Sequence, residues 1–231
     1  MFRGLNRRCA LLSQGFDNIM IGSTTFEQVR DHWRYVSHTN DSVMFPRGKH
    51  GISVADLAEE MLKVTESIAS SQHQCSRCEY ANNPIDDKLT YVLHADNLTK
   101  HSTDIWVNGS SQITPRRCPD CDHSMKQVFY NEIPNIVILE YPMNDIQTSH
   151  SLEFMTDEGE IKNLKLRGIV YHGGYHFTSC IVSSEQDIWY HDGINTGKLC
   201  LRDGTLGSQS EDRLRVCRGR DLVLAIYAQK L

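Results

Sequence analysis

Long apolar runs are missing from this sequence: nothing approaches the roughly 18 consecutive apolar residues that a membrane-spanning helix requires. The amino-terminal stretch MFRGLNRRCALLSQGFDN has arginines but only a broken apolar segment, which argues against a secretory signal. Without secretion, the sequons at Asn40, Asn97 and Asn108 carry little weight. Positive charge is not in excess either. The chain has 24 Lys and Arg against 29 Asp and Glu, a net charge of -5, which argues against nucleic-acid binding driven by bulk electrostatics. There is no internal repeat, no low-complexity tract and no Pro/Gly/Ser-rich linker. The 231 residues therefore suit one domain of ordinary size or two small ones.

What is present is globular in character, with 39% hydrophobic and 23% charged residues. Residues 23–36 (STTFEQVRDHWRYV) begin with Ser and Thr and then repeat apolar residues at Phe26, Val29, Trp33 and Val36, the spacing of one helical face. Residues 53–70 predict a second helix, capped by Ser53 and striped by Leu57, Met61 and Val64. The intervening SHTNDSVMFPRGKHG reads as a loop. Beyond residue 70 the pattern becomes strand-like: 89–95, 124–133, 136–141, 166–172, 177–184, 187–192 and 221–228. Helices first and antiparallel strands afterwards predict an α+β fold.

Eight cysteines would suit a disulfide framework in a secreted chain, but four of them fall in two Cys-x-x-Cys pairs. Cys75-Ser-Arg-Cys78 and Cys118-Pro-Asp-Cys121 are separated by 39 residues. Each pair presents two thiolates from one tight turn, and two such knuckles complete a tetrahedral site for a structural Zn2+. The long insert suggests finger-like ribbons. Four unrelated thiols, or a redox pair, are the competing readings.

Residues 166–192 read as strand, glycine turn, strand, turn, strand. His176 follows Gly173-Gly174, and Asp192 closes the next strand. In an antiparallel meander those ends meet, so Asp192 would accept a hydrogen bond from His176 and orient it as a base. Strand ends commonly carry such residues on the surface, and His172, His176 and His191 all admit that reading.

The same stretch resembles the histidine box of the ubiquitin-specific proteases, which are papain-like cysteine isopeptidases. Three further landmarks occur in the family's order: the double Cys-x-x-Cys of its fingers, the strand Ile133-Pro134-Asn135-Ile136-Val137-Ile138-Leu139, and the closing strand Asp221-Leu222-Val223-Leu224-Ala225-Ile226-Tyr227. Together they cover about residues 72–228. The compact finger region is also similar to that of the ubiquitin-specific-protease-like SUMO isopeptidase and of related domains in fungal mobile elements.

The resemblance implies a single papain-like domain that is truncated at its amino terminus. Residues 1–70 would be its helical part, 71–132 a zinc-finger insertion, and 133–231 a palm-like antiparallel sheet with the histidine box. It implies His176 as general base, Asp192 as its orienting partner, and Cys75, Cys78, Cys118 and Cys121 as zinc ligands. Gly173 and Gly174 would give room to a Gly-Gly tail, and Trp189 would pack beneath the histidine strand.

The family's cysteine box, "GNTCYhN", is absent. The upstream candidate nucleophile is Cys9, with Asn6 three residues ahead; the other possibility is that the cysteine segment preceded Met1. Cys180 lies about 13 Å along the strand from His176, too far to bond it, and reads as a core thiol, as do Cys200 and Cys217. Two functions follow: a thiol isopeptidase cleaving ubiquitin or SUMO conjugates in the nucleus or cytoplasm, or an inactive module that binds the modifier. A zinc-dependent nucleic-acid module is a remote third, disfavoured by the acidic charge.

Overall fold

A computed structural model describes residues 10–48, 51–62, 69–75, 77–78, 80–81, 86–88, 92–94, 117–123, 125–130, 135–141, 147–155 and 161–229. They form two compact units, a helical one and a sheet one, with the boundary near residue 67.

The helical unit contains α1 (Ala10–Met20), α2 (Phe26–Asn40) and α3 (Val54–Leu62). The start of α2 is fixed by a reciprocal capping box. The Thr25 hydroxyl accepts the Gln28 N–H at 3.3 Å, and the Thr25 N–H donates to the Gln28 side chain at 2.9 Å. Its buried residues are Trp33 and Ser37, one turn apart, while Val29 and Val36 are half-buried. Phe26, expected on the apolar face, is 64% exposed and only meets Phe16 edge-on at 6.1 Å. As the first residue of the helix it lies before the face that turns inward. The helix also runs through residues 37–40, expected as loop. The Asp41 N–H closes its last turn onto the Ser37 carbonyl, and the Asp41 carboxylate then takes the N–H groups of Val43 and Met44.

Ser53 caps α3 by accepting the Asp56 N–H at 3.2 Å. The helix buries Ala55 and Leu62, with Leu57 and Met61 half-buried. It does not reach residue 70, because Ala69 and Ser70 already belong to a strand; Val64 lies outside the described residues. At the crossing of α1 and α2, Gly15 is required by contact: a Cβ there would stand 2.7 Å from a methyl of Val29.

In the sheet unit, β1 (Ala69–Cys75), β2 (Asp86–Lys88) and β4 (Met125–Tyr130) make a small antiparallel sheet in the order β2-β1-β4. The larger sheet has nine strands. It includes β3 (Val92–His94), β5 (Ile136–Glu140), β6 (Ser151–Met155), β7 (Ile161–Gly173), β8 (His176–Val182) and β9 (Asp187–His191). The remaining three are β10 (Leu201–Thr205), β11 (Val216–Cys217) and β12 (Arg220–Gln229). Its main order is β10-β9-β8-β7-β12-β5-β3, with β6 on β7 and β11 on β12.

The apolar runs read from the sequence occupy the middle of this sheet, where both faces are covered. Leu139, Leu164, Leu166, Ala225 and Tyr227 have no exposed surface. Burial of each large side chain here contributes about 1.5–3 kcal/mol. The Tyr227 hydroxyl donates to the Ser149 carbonyl at 2.8 Å, so its polar end is satisfied inside the core. Gly168 lies under Ile226, whose side chain would be 3.2 Å from an added Cβ.

The chain is thus a mixture of helices and antiparallel sheet, as its element order predicts. β1, β6 and β10 are strands that the apolar pattern did not indicate. No helix among the described residues is long and apolar enough to cross a membrane.

Candidate functional site

The first cluster is built by the small sheet. β1 delivers Cys75 opposite Met125, where β4 begins. The Cys75 N–H donates to the Tyr80 carbonyl at 2.6 Å, and the Arg77 N–H donates to the Cys75 sulfur at 3.4 Å, which folds the first knuckle. The second knuckle repeats the device: Cys118 N–H to the His123 carbonyl at 2.8 Å, with Asp122 in the left-handed region at φ 55°. Sulfur contacts cross between the pairs, Cys75 to Cys121 and Cys78 to Cys121 at 3.5 Å and Cys78 to Cys118 at 3.4 Å, and all four Sγ atoms lie within 4.8 Å of one another. A tetrahedral ion with metal–sulfur bonds of about 2.3 Å would set its sulfurs about 3.8 Å apart, so the donor set fits. Such cross-pairing is unlike a redox motif, whose two thiols pair within one Cys-x-x-Cys.

As bare thiols the four obstruct one another. The Arg77 amide draws Cys75 down to about 6 against the opposing effect of burial. For Cys78 the Tyr80 amide lowers the pKa, but the Cys118 thiol, burial and the other two thiols together push it up to about 12. A divalent cation would remove this conflict by holding all four as thiolates. The four cysteines are therefore a cluster that could hold a metal ion.

The second cluster lies at the end of the large sheet. β7 turns into β8 through Gly174 and Tyr175, with φ of 60° and 59°, the signature of a two-residue type I′ hairpin. His176 is the first residue of β8 and faces the same side as Thr178, Cys180 and Val182. On β9, Ile188 and Tyr190 face that side too, and the alternation carries on to Asp192. His191 pairs with Ser179, so Asp192 stands diagonally across from His176, within side-chain reach.

His176 Nε2 and Asp192 Oδ1 are 2.8 Å apart. The carboxylate is 1% exposed and the imidazole 23%. The carboxylate is held from all sides. Oδ1 also accepts the N–H groups of Ile194 and Asn195 at 3.0 and 3.2 Å, and Oδ2 accepts the Tyr190 hydroxyl at 3.2 Å and the Asn195 amide at 2.6 Å. Burial works to raise the Asp192 pKa, but the bonds from His176 and Asn195 and the two backbone amides outweigh it, keeping the carboxyl well below its usual range. Thr196 closes the loop by exchanging hydrogen bonds with the Asp192 backbone. The network extends outward: the Arg218 guanidinium lies 3.8 Å over the Tyr190 ring and contacts Asp203 at 3.3 Å.

An ionised Asp192 makes Nε2 of a neutral His176 the protonated nitrogen and leaves Nδ1 as the basic one. Among the described residues no cysteine bonds His176. Among the described residues, the other two histidines of the stretch meet no carboxylate. His172 stacks on Phe177 at 4.5 Å, and His191 bonds the Gly197 carbonyl at 3.0 Å.

The remaining expected residues divide. Gly174 has open space beside it, but the room at Gly173 is taken by Arg220 and the Gly219 carbonyl, so Gly173 accommodates the chain's own β11–β12 turn. Trp189 pairs with Ile181 on the face of the sheet opposite His176. Cys180 is buried in the large core cluster, against which Cys217 packs, whereas Cys200 is exposed at the end of a turn. Cys9 lies outside the described residues. Tyr190, Asn195 and Arg218 were not singled out by the sequence. The turn-rich Asp192-Gly-Ile-Asn-Thr196 was the signal that a carboxylate would be wrapped by its own loop.

No protein-family model matches the chain, and no curated protein matches it.

Proposed function

We propose that this chain is a papain-like cysteine isopeptidase domain of the ubiquitin-specific protease type, acting on ubiquitin or SUMO conjugates in the nucleus or cytoplasm. The observation that carries the reading is the oriented pair at the sheet end: an accessible His176 held through Nε2 by a buried, five-bonded Asp192. That arrangement leaves Nδ1 to take a proton from a thiol and later return it to the leaving lysine amine. The thiolate would attack the carbonyl carbon of the modifier's terminal glycine, and water would then hydrolyse the thioester. Cys9 is the residue of this chain proposed as nucleophile. The open side of Gly174 is where the glycine tail would pass. Cys75, Cys78, Cys118 and Cys121 would hold a structural Zn2+, which keeps the finger folded and takes no part in the reaction.

The second reading is a pseudo-protease that binds the modifier without turnover. It is favoured by the lack, among the described residues, of a cysteine bonded to His176. Hydrolysis of isopeptide-linked di-ubiquitin and of a SUMO conjugate separates the two. Cleavage by the wild type that falls at least about 100-fold in His176→Ala supports the enzyme. Binding of ubiquitin or SUMO without cleavage supports the module, and neither binding nor cleavage sinks both.

A further inference from the structure

Two cysteines of the large sheet are used neither by the metal cluster nor by the histidine pair. Cys180, on β8, is 3% exposed; Cys217, on β11, is half-buried and packs against the buried cluster that contains Cys180. Both line a cavity of about 490 Å³ whose wall includes Tyr171, Asp203, Arg213 and Arg218. We propose that Cys180 and Cys217 are a dithiol modification site, converted to an intramolecular disulfide by a hydroperoxide.

The surroundings assign a role to each sulfur. Cys217 is reachable, and its thiol is pulled down first by the hydrogen bond from Cys180; burial and Asp203 oppose this, and Arg218 and Arg220 add to it. Cys180 is pushed up by that same bond, by burial and by the charge of its partner. Cys217, half-buried, is the more reachable sulfur and hence the attacking thiolate, and Cys180, 3% exposed, is the resolving thiol. The Cys217 sulfur attacks one peroxide oxygen, the O–O bond breaks, and the departing hydroxide takes a proton to become water. The Cys180 sulfur then attacks the Cys217 sulfenic sulfur, the S–O bond breaks, and the hydroxide leaves with the Cys180 proton as a second water. Both cysteines are oxidised and one hydroperoxide is reduced.

Cys217 sits on the short β11, two residues long and joined to β12 by the Arg218–Gly219 turn, with φ of 51° and 77°. Cys200 is exposed, and among the described residues the structure records no thiol in contact with it. The four finger cysteines are committed to one another.

The test treats the full-length, Zn2+-loaded chain with graded hydrogen peroxide, blocks the remaining thiols and maps the peptides by mass spectrometry. The expected result is a Cys180–Cys217 crosslinked peptide that dithiothreitol reverses. In Cys180→Ser the resolving thiol is gone, so a dimedone adduct should accumulate at Cys217. Peroxide that leaves Cys217 as sulfinic acid in the wild type, or that oxidises Cys200 with no crosslink, overturns the proposal. The wild-type map alone decides the matter if the serine variant does not fold.

Discussion

The two sheets of this molecule are held by different means. At the Cys75–Met125 end of the small sheet, the described residues Cys75, Cys118 and Met125 are buried together, with Tyr80 and Cys121 packed alongside. The large sheet surrounds its centre with a continuous cluster of Val137, Leu139, Leu152, Leu164, Leu166, Ile169, Tyr171, Ala225, Tyr227 and further buried residues. A cluster composed mainly of thiols buries too little apolar surface to offset the entropy of ordering three strands. The difference teaches that the large sheet relies on burial, whereas the small sheet brings together four cysteines that could hold a metal ion.

The comparison breaks most visibly if the metal is removed. Binding of a structural zinc to small sulfur sites is worth about 10–16 kcal/mol near neutral pH. Chelation, or Cys118→Ser, should therefore abolish amide protection over 69–75 and 125–130 while 161–229 remain protected. Hydrogen exchange followed by mass spectrometry reads this directly, and uniform loss in both regions would show that the sheets do not stand on separate footings.

Truncation in the large sheet is the converse. Leu164→Ala removes a side chain with no exposed surface and should cost about 2–5 kcal/mol in denaturant unfolding. The metal affinity of the cysteine cluster should not change.

Asp192→Asn comes next, and its effect depends on pH. The Asp192 carboxyl ionises at lower pH in the folded chain than the roughly 3.9 of an unfolded aspartate, so the native state binds fewer protons there. Its stabilising contribution is present above about pH 4 and drains away as pH falls below that value. Acid unfolding of Asp192→Asn should lose this part of the pH dependence; an unchanged acid limb would show that the hydrogen bonds to Asp192 do not stabilise the fold.

The smallest effect has the opposite sign. Tyr175 is fully exposed and holds φ of 59°, a region that disfavours side chains. Tyr175→Gly relieves that strain and should stabilise the chain by about 1 kcal/mol in thermal or denaturant unfolding. No gain would mean that the tyrosine ring makes compensating contacts.

Legibility in the sequence followed the same division. The apolar strands of the large sheet stood out because burial leaves long runs such as Ile136–Glu140 and Arg220–Gln229. β1, with its sequence ASSQHQC, and β10, with LRDGT, carry almost no apolar signal. Their pairing with β4 and β9 is decided by backbone register, and β10 even contains a bulge between Arg202 and Gly204. The four cysteines and the His176–Asp192 pair were readable, because turn chemistry and strand alternation fix where those side chains arrive. The shell around Asp192 was not. Asn195 reaches it through loop closure and Arg218 stacks over Tyr190, neither of which has a period along the chain, and Tyr190, though on the same strand face, carries no mark of a partner in its sequence. The packing of Gly173 against the β11–β12 turn was not readable for a related reason: that turn lies more than 40 residues away in sequence.

The proposed isopeptidase function requires a thiol that reacts under the control of His176. Incubation with ubiquitin and SUMO bearing an electrophilic carboxyl terminus, followed by mapping of the labelled cysteine, tests this directly. The predicted result is a single adduct at Cys9, lost in Cys9→Ala and strongly reduced in His176→Ala. No labelling of folded, Zn2+-loaded protein, or labelling of Cys200 that is indifferent to His176→Ala, would contradict it.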